Sequence, residues 1–357
     1  MTHSRNAIIA ALVAALLFGA STPFAKMLSG DMSPVPLAGL LYLGSGLGLW
    51  TIRLLRDRRL GLPFLPGPDW GWFLGAIAAG GIVAPILLMA GLAMTSASSA
   101  SLLLNLEAVL TALMAWIVFR ENADSKLVLG MLLIVAGGMV LVWPHGAAGH
   151  TSMRGALLIA AACFCWALDN NLTRKISAAD ADFIAGTKGL IAGVTNLGLA
   201  VALGTRWPAP HLIASAMAIG LLGYGVSLVL FVLALRGLGS ARAGAYFSTA
   251  PFLGAAIGVI ALHDPTPPGF WVSAVLMTLG VLLHLTERHE HCHVHEPLEH
   301  EHPHSHDLHH RHYHSVDWDG SEPHTHAHRH EPLAHEHPHY PDLHHRHGHQ
   351  RRPGENI

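Results

Sequence analysis

Along most of its length the chain alternates long apolar runs with short polar connections. An α-helix needs about twenty apolar residues to cross the hydrocarbon core of a bilayer. Ten runs meet that requirement, at roughly 7–28, 35–55, 70–92, 97–119, 127–143, 154–175, 183–204, 212–235, 241–262 and 269–286. The connections carry turn signals, among them Leu62-Pro63 to Gly67-Pro68 and Pro265 to Pro268. The pattern predicts an all-α membrane protein with ten transmembrane helices. Its first run imitates a cleavable signal peptide, with Arg5 ahead of it and Gly19-Ala20-Ser21 inside it. That run continues to Leu28, long enough to span, and it has a counterpart in the second half of the chain, so it is read as the first span.

The apolar pattern is also duplicated. From Leu92 to Asn122 a run of small residues (Ser96, Ala97, Ser98, Ser99, Ala100, Ser101) leads into an apolar stretch that closes on Arg120-Glu121. From Leu235 to Asp264 the same order returns, with Ser240, Ala241, Ala243, Gly244 and Ala245 as the small cluster and Asp264 near the place of Glu121. A similarly placed glycine follows each copy, Gly137 and Gly280. A period of about 143 residues is an internal duplication. It divides the chain into a first five-helix repeat (1–146), a second (147–288) and a tail (289–357). Five is odd, so the second copy crosses the membrane upside down relative to the first. Inverted repeats of this kind belong to secondary transporters, whose substrate site lies near the midplane between the halves.

Charge sets the orientation. Arg53, Arg56, Arg58, Arg59, Arg120, Lys126, Arg174 and Lys175 all fall on one side of the predicted spans, and only Lys26, Arg154 and Arg206 on the other. By the bias of lysine and arginine toward the cytoplasm, both termini are expected inside, in the inner membrane. Of 357 residues, 51% are hydrophobic and 12% charged, against about a quarter charged in a soluble domain. Net charge is close to zero, which leaves no nucleic-acid footprint. Cys163, Cys165 and Cys292 are too few for a disulfide framework, and the first two read as packing residues.

Two five-helix repeats with these landmarks resemble paired EamA domains, the ten-helix branch of the drug/metabolite transporter superfamily. The residues that carry the resemblance are Phe18-Gly19-Ala20-Ser21-Thr22-Pro23, the small-residue run into Glu121, the run ending Ala250-Pro251, and the late glycines. It covers about residues 7–286 and implies a transporter of small organic solutes, with export favoured. One departure stands out: the family usually has proline in the fourth helix where this chain has Glu107, whereas Pro251 keeps it in the second copy.

Ionisable groups inside a span are costly and usually face a cavity or one another. Glu107, with Asn105 two residues earlier, falls near mid-bilayer and is a candidate proton carrier. Asp169-Asn170 is a second candidate, with Asp169 free to pair with Lys175 or Lys188. Lys188 is a counter-ion or an anion-binding group. Glu107, Asn105, Asp169, Asn170 and Lys188 are thus the expected transport-pathway residues. Pro85, after Gly80-Gly81, is the expected local break, and Tyr42, Trp116, Trp143 and Trp271 read as packing or interface residues. No Walker sequence or hydrolytic motif is present, so no enzyme activity is expected and coupling falls to an ion gradient, the proton first.

Beyond Arg288 the composition changes to alternating histidines, and the segment His295 to His314 returns 35 residues later as His330 to His349, both copies holding Glu-His-Pro-His and Asp-Leu-His-His-Arg-His. The tail lacks the apolar residues for a core and is expected to be disordered without a ligand. Imidazoles at this spacing bind zinc, nickel or cobalt. The candidate ligands are His291, Cys292, His293, His295, His300, His302, His304, His335, His337 and His339. No cofactor is required by this reading, and a homodimer is compatible with it. Three functions stay open: a proton-coupled solute exporter, a transition-metal efflux permease fed by the tail, and a membrane-anchored metal buffer or sensor.

Overall fold

The computed structural model describes residues 2–57, 67, 69–119, 125–143, 152–173, 176, 181–238, 240–285, 290–295, 299–304, 324–329 and 333–338. The chain divides into two units, Met1–Glu287 and Arg288–Ile357. Among the described residues of the first unit, ten helices are long and apolar enough to cross a membrane. They are Arg5–Leu28, Pro34–Arg56, Asp69–Ala93, Ala97–Val118, Ser125–Val142, Met153–Thr173, Phe183–Ala202, Pro210–Leu235, Arg242–Ala261 and Pro268–Leu285, here spans 1 to 10. All ten predicted spans are present. Leu132, Met139, Leu157, Val194, Ile260 and Leu282 are exposed on their outer surfaces, as lipid-facing side chains of a bundle must be, because lipid rather than water is the solvent there.

Packing obeys the duplication. Span 2 lies along its own counterpart, span 7, and runs antiparallel to it: Gly39 meets Leu197, Gly46 meets Gly189 and Leu190, and Trp50 meets Gly186. Spans 5 and 10 pair the same way, Gly130 against Gly280 and Gly137 against Ser273 and Met277. A helix antiparallel to its own duplicate is the signature of an inverted repeat. The unit is therefore two five-helix repeats of opposite orientation, interleaved through spans 2, 7, 5 and 10. Small residues at the crossings let backbones touch, which is how helices associate where no hydrophobic drive acts between them. Gly220 is one such crossing: a Cβ there would overlap the carbonyl of Leu41.

The irregular segments repeat too. Span 3 contains a π-helical stretch, Ile77–Val83, and span 8 contains another, Leu221–Val226, at the offset of the duplication. Span 4 is broken at Leu104-Asn105 into Ala97–Leu103 and Leu106–Phe119. Span 9 is broken at Ser248-Thr249 into Ser240–Phe247 and Ala250–Ala261. Glu107 and Pro251 occupy matching places just past these breaks. Pro251 explains the break in span 9, since proline belongs in the first turn of a helix and not in its interior. In span 4, Asn105 serves instead. Its backbone N–H and its side-chain amide both donate to the carbonyl of Leu102, at 3.1 and 2.9 Å, a local bond that competes with the helical ladder.

Pro85 behaves differently from the expectation of a break at its own position. It sits in the first turn of the regular helix Ala84–Ala93, and the disturbance lies before it, in the π-helical stretch. Pro85 has no N–H to give and crowds the carbonyl four residues back, so the ladder widens upstream.

In the second unit, four short strands pair in two separate ladders. Strand β1 (Glu290–His295) is antiparallel to β4 (Leu333–Pro338), and β2 (Glu299–His304) to β3 (His324–Arg329). Two-stranded ladders are marginal in water by themselves, and nothing in their composition supplies a core.

Candidate transport pathway

Spans 3, 4, 6 and 7 bring the intramembrane polar groups together in two linked sets. Span 6 lies between span 3 on one side and the second half of span 4 on the other, and it presents successive residues to each. Asp169 is buried and faces span 7, where Lys188 Nζ donates to both of its oxygens, at 2.7 and 2.8 Å. Thr173 Oγ1, one turn on, donates to the same carboxylate at 2.9 Å. Lys188, one of the two expected partners of Asp169, thus pairs with it; Lys175, the other, lies outside the described residues.

Asn170, the next residue, turns toward span 4. Its amide donates to Glu107 Oε1 at 2.9 Å and to Thr111 Oγ1 at 3.3 Å. Asn171 donates to the carbonyls of Ala167 and Thr111, at 2.8 and 3.4 Å, and fixes the sixth span against the fourth. Glu107 stands in the first turn of the half-helix Leu106–Phe119, where the helix dipole favours an acid. It is within electrostatic reach of Asp169 and Lys188. Four of the five predicted pathway residues thus meet. Asn105 does not join them: it is buried against Leu102 and Met277, and its work is to break the helix.

Sequence reasoning missed the group that holds this site open from the third span. The π-helical stretch frees carbonyls, and neighbouring side chains take them up. Tyr42 OH donates to the carbonyl of Gly80 at 2.9 Å, and Trp166 Nε1 donates to the same oxygen at 3.0 Å. Asn196 Nδ2 reaches the carbonyls of Gly81 and Ile82, both at 3.5 Å. Freed backbone groups in a membrane must find such partners. Tyr42 is therefore neither a lipid-interface anchor nor apolar filling. The available signal was Gly80-Gly81 ahead of Pro85, which marked where carbonyls would be released but not who would receive them. Gly80 has a second role, for a Cβ there would overlap the Asp169 carboxylate. Trp116, Trp143 and Trp271 are exposed rather than packed inside. Cys163 is buried in the core, as the packing reading expected.

The tail ligands are placed less fully. His291, Cys292, His293, His295, His300, His302, His304, His335 and His337 lie on strands β1, β2 and β4, by backbone position alone, and His339 lies outside the described residues. Among the described residues no group of three or more metal-ligating side chains gathers.

A bundle of ten membrane-crossing helices in two inverted repeats, with broken fourth helices and buried ionisable groups beside them, is the architecture of a membrane transporter. The model of the EamA-like transporter family matches residues 5–143 and 153–286, one copy for each repeat, and the chain belongs to that family. It is similar to a protein of Methanothermobacter thermautotrophicus named "Uncharacterized transporter", with 29% identity over 290 residues, covering 77% of this chain and 84% of that protein. A solved crystal structure shares the fold at a TM-score of 0.58 and 20% identity, covering 78% of this chain and 95% of that one.

Proposed function

We propose that this chain is a proton-coupled exporter of small organic solutes in the inner membrane, with both termini in the cytoplasm. The observation that carries the reading is the unequal treatment of two neighbouring carboxyls. Asp169 is matched by Lys188, whereas the hydrogen-bond partner of Glu107 among the described residues is the neutral amide of Asn170. A carboxyl held by an amide exchanges a proton without breaking an ion pair, and one at a helix break between repeats is placed to do so once per cycle. Asp169 and Lys188 then serve as a fixed pair that positions spans 6 and 7 around it. Export and the cytoplasmic termini rest on the family resemblance and on the lysine and arginine asymmetry.

The test uses the full chain in sealed vesicles with an internal pH dye, challenged with amines, amino acids and carboxylates in turn. At least one class is expected to drive proton movement, and Glu107→Gln is expected to abolish it while inserting normally. Proton movement unchanged in Glu107→Gln would remove that residue from the mechanism.

One observation supports a second reading, transition-metal efflux fed by the tail. The strand register sets His291 opposite His337, His293 opposite His335, His300 opposite His328, His302 opposite His326 and His304 opposite His324. Histidines thus hold alternate register positions along each ladder, and imidazole is a ligand suited to zinc, nickel or cobalt. Nickel, cobalt and zinc content of cells expressing the full chain, the chain ending at Arg288 and Glu107→Gln separates the readings. Metal depletion that requires Glu107 favours this one. Metal accumulation that requires only the tail makes the tail a buffer.

A further inference from the structure

The inverted repeats should be interchangeable in packing, yet their half-helices are not packed alike. Call the face where span 1 begins proximal and the face where it ends distal. On the distal side, the half-helix Ala97–Leu103 of span 4 packs against Ala250–Ala261 of span 9, with Gly254 against Ser101 and Gly258 against Ser98. Every residue of Ala97–Leu103 is buried. The duplicate of this contact would join Leu106–Phe119 to Ser240–Phe247 on the proximal side. Among the described residues those two half-helices have no comparable packing. Among the described residues the half-helices thus pack more closely on the distal side, and Glu107 and Asn170 stand just proximal to that packing.

Two side chains tie the closed side. Lys26 Nζ, at the end of span 1, donates to the carbonyls of Leu92 and Ala93 at the end of span 3, at 2.7 and 3.4 Å. Those carbonyls close the C-terminal turn of a helix, where a cation is favoured. Asp264, just after span 9, accepts the Ser98 N–H at the start of span 4 at 2.7 Å. The chain turns into that contact through His263, whose φ of 54° is the left-handed conformation, and the Asp264 N–H closes back on the Gly258 carbonyl at 3.2 Å. A non-glycine residue in this region is uncommon and is held by its surroundings. Span 6 meets span 3 as span 1 meets span 8, with Asp169 against Gly80 and Ser21 against Gly223, which puts Arg174 in the place of Lys26; Arg174, like Glu121 in the place of Asp264, lies outside the described residues.

We propose that Lys26 and Asp264 form the distal gate of the pathway, and that transport requires both ties to break so that spans 1, 3, 4 and 9 part on that side. Alternating access then exchanges the packing of the two repeats, the closed distal contacts opening as the proximal ones form. The inference needs the transporter class only, not proton coupling or the nature of the solute.

The test places a reporter thiol at Ser101→Cys, in the full chain with its three native cysteines replaced by alanine, and measures labelling by a membrane-impermeant maleimide added at the distal face. Ser101 is buried and its hydroxyl has no hydrogen-bond partner, so the parent should label slowly. Lys26→Gln and Asp264→Asn should each raise the rate roughly tenfold, the effect of losing one hydrogen bond to a charged group on a two-state equilibrium. Lys26→Arg should stay near the parent. Rapid labelling of the parent, or unchanged labelling in both variants, overturns the gate. If Lys26→Gln fails to reach the membrane, Asp264→Asn, on a different pair of spans, decides the matter alone. The readout needs neither substrate nor proton gradient, so a silent transport assay does not bear on it.

Discussion

Lys188 holds Asp169 by both carboxylate oxygens, at 2.7 and 2.8 Å, across the interface of spans 6 and 7. The side chains are 17% and 8% exposed, so removing either partner leaves a charge in a dry site. Asp169→Asn or Lys188→Met is expected to destabilise the unit by about 3 kcal/mol, the cost of breaking a buried pair. The double variant should recover part of that loss. Thermal unfolding of the four proteins in detergent gives the coupling directly, and a loss in the double equal to the sum of the singles would show that the pair carries no coupling energy.

Gly80 stands where a side chain would strike that same carboxylate. Gly80→Ala should cost about 1–3 kcal/mol, as overpacking does, and should also weaken proton movement by displacing Asp169 from Lys188. Gly198, in span 7, meets nothing within 4 Å. Alanine there should be neutral or gain up to about 1 kcal/mol from helix propensity. Equal behaviour of the two variants in unfolding would contradict the close approach at Gly80.

Glu107 and Pro251 share one place in the two repeats, so Glu107→Pro separates structure from chemistry. The half-helix already starts at Leu106, and the backbone bond lost, Glu107 N–H to Leu104 at 3.0 Å, is worth about 1 kcal/mol. The variant should insert and unfold much like the parent. Under the proposed function it should move no protons. A variant that transports normally would place the proton elsewhere.

The tail predicts a pH dependence of its own. Imidazoles bind metal only when neutral, and their ordinary titration lies near pH 6.5. Metal bound at pH 7.5 should be released as pH falls below about 6. A chain ending at Arg288 should bind little metal at any pH yet keep the unfolding profile of the Met1–Glu287 unit. Metal content of the purified proteins across pH checks both statements.

Ten spans, their duplication and their inversion were legible in the chain alone. Apolar length counts crossings, and an odd number of crossings per repeat forces the copies to oppose each other. Glu107, Asp169 and Lys188 were legible for a related reason: ionisable residues are rare in hydrocarbon, so each one draws notice. Their partners were not. Helical periodicity states which face of a helix a residue occupies but not which helix lies opposite, and a lysine near two acids reads the same whichever it holds. The tertiary structure alone assigned Lys188 to Asp169, gave Asn170 to Glu107, reduced Asn105 to a helix breaker, and delivered Tyr42 and Trp166 to the Gly80 carbonyl. It alone revealed that, among the described residues, the half-helices of the two repeats pack closely on one face without comparable packing on the other. Sequence sets the length and polarity of each helix, which are local properties. Choosing partners depends on which backbones come close enough to touch, and that is settled only when all ten helices pack at once.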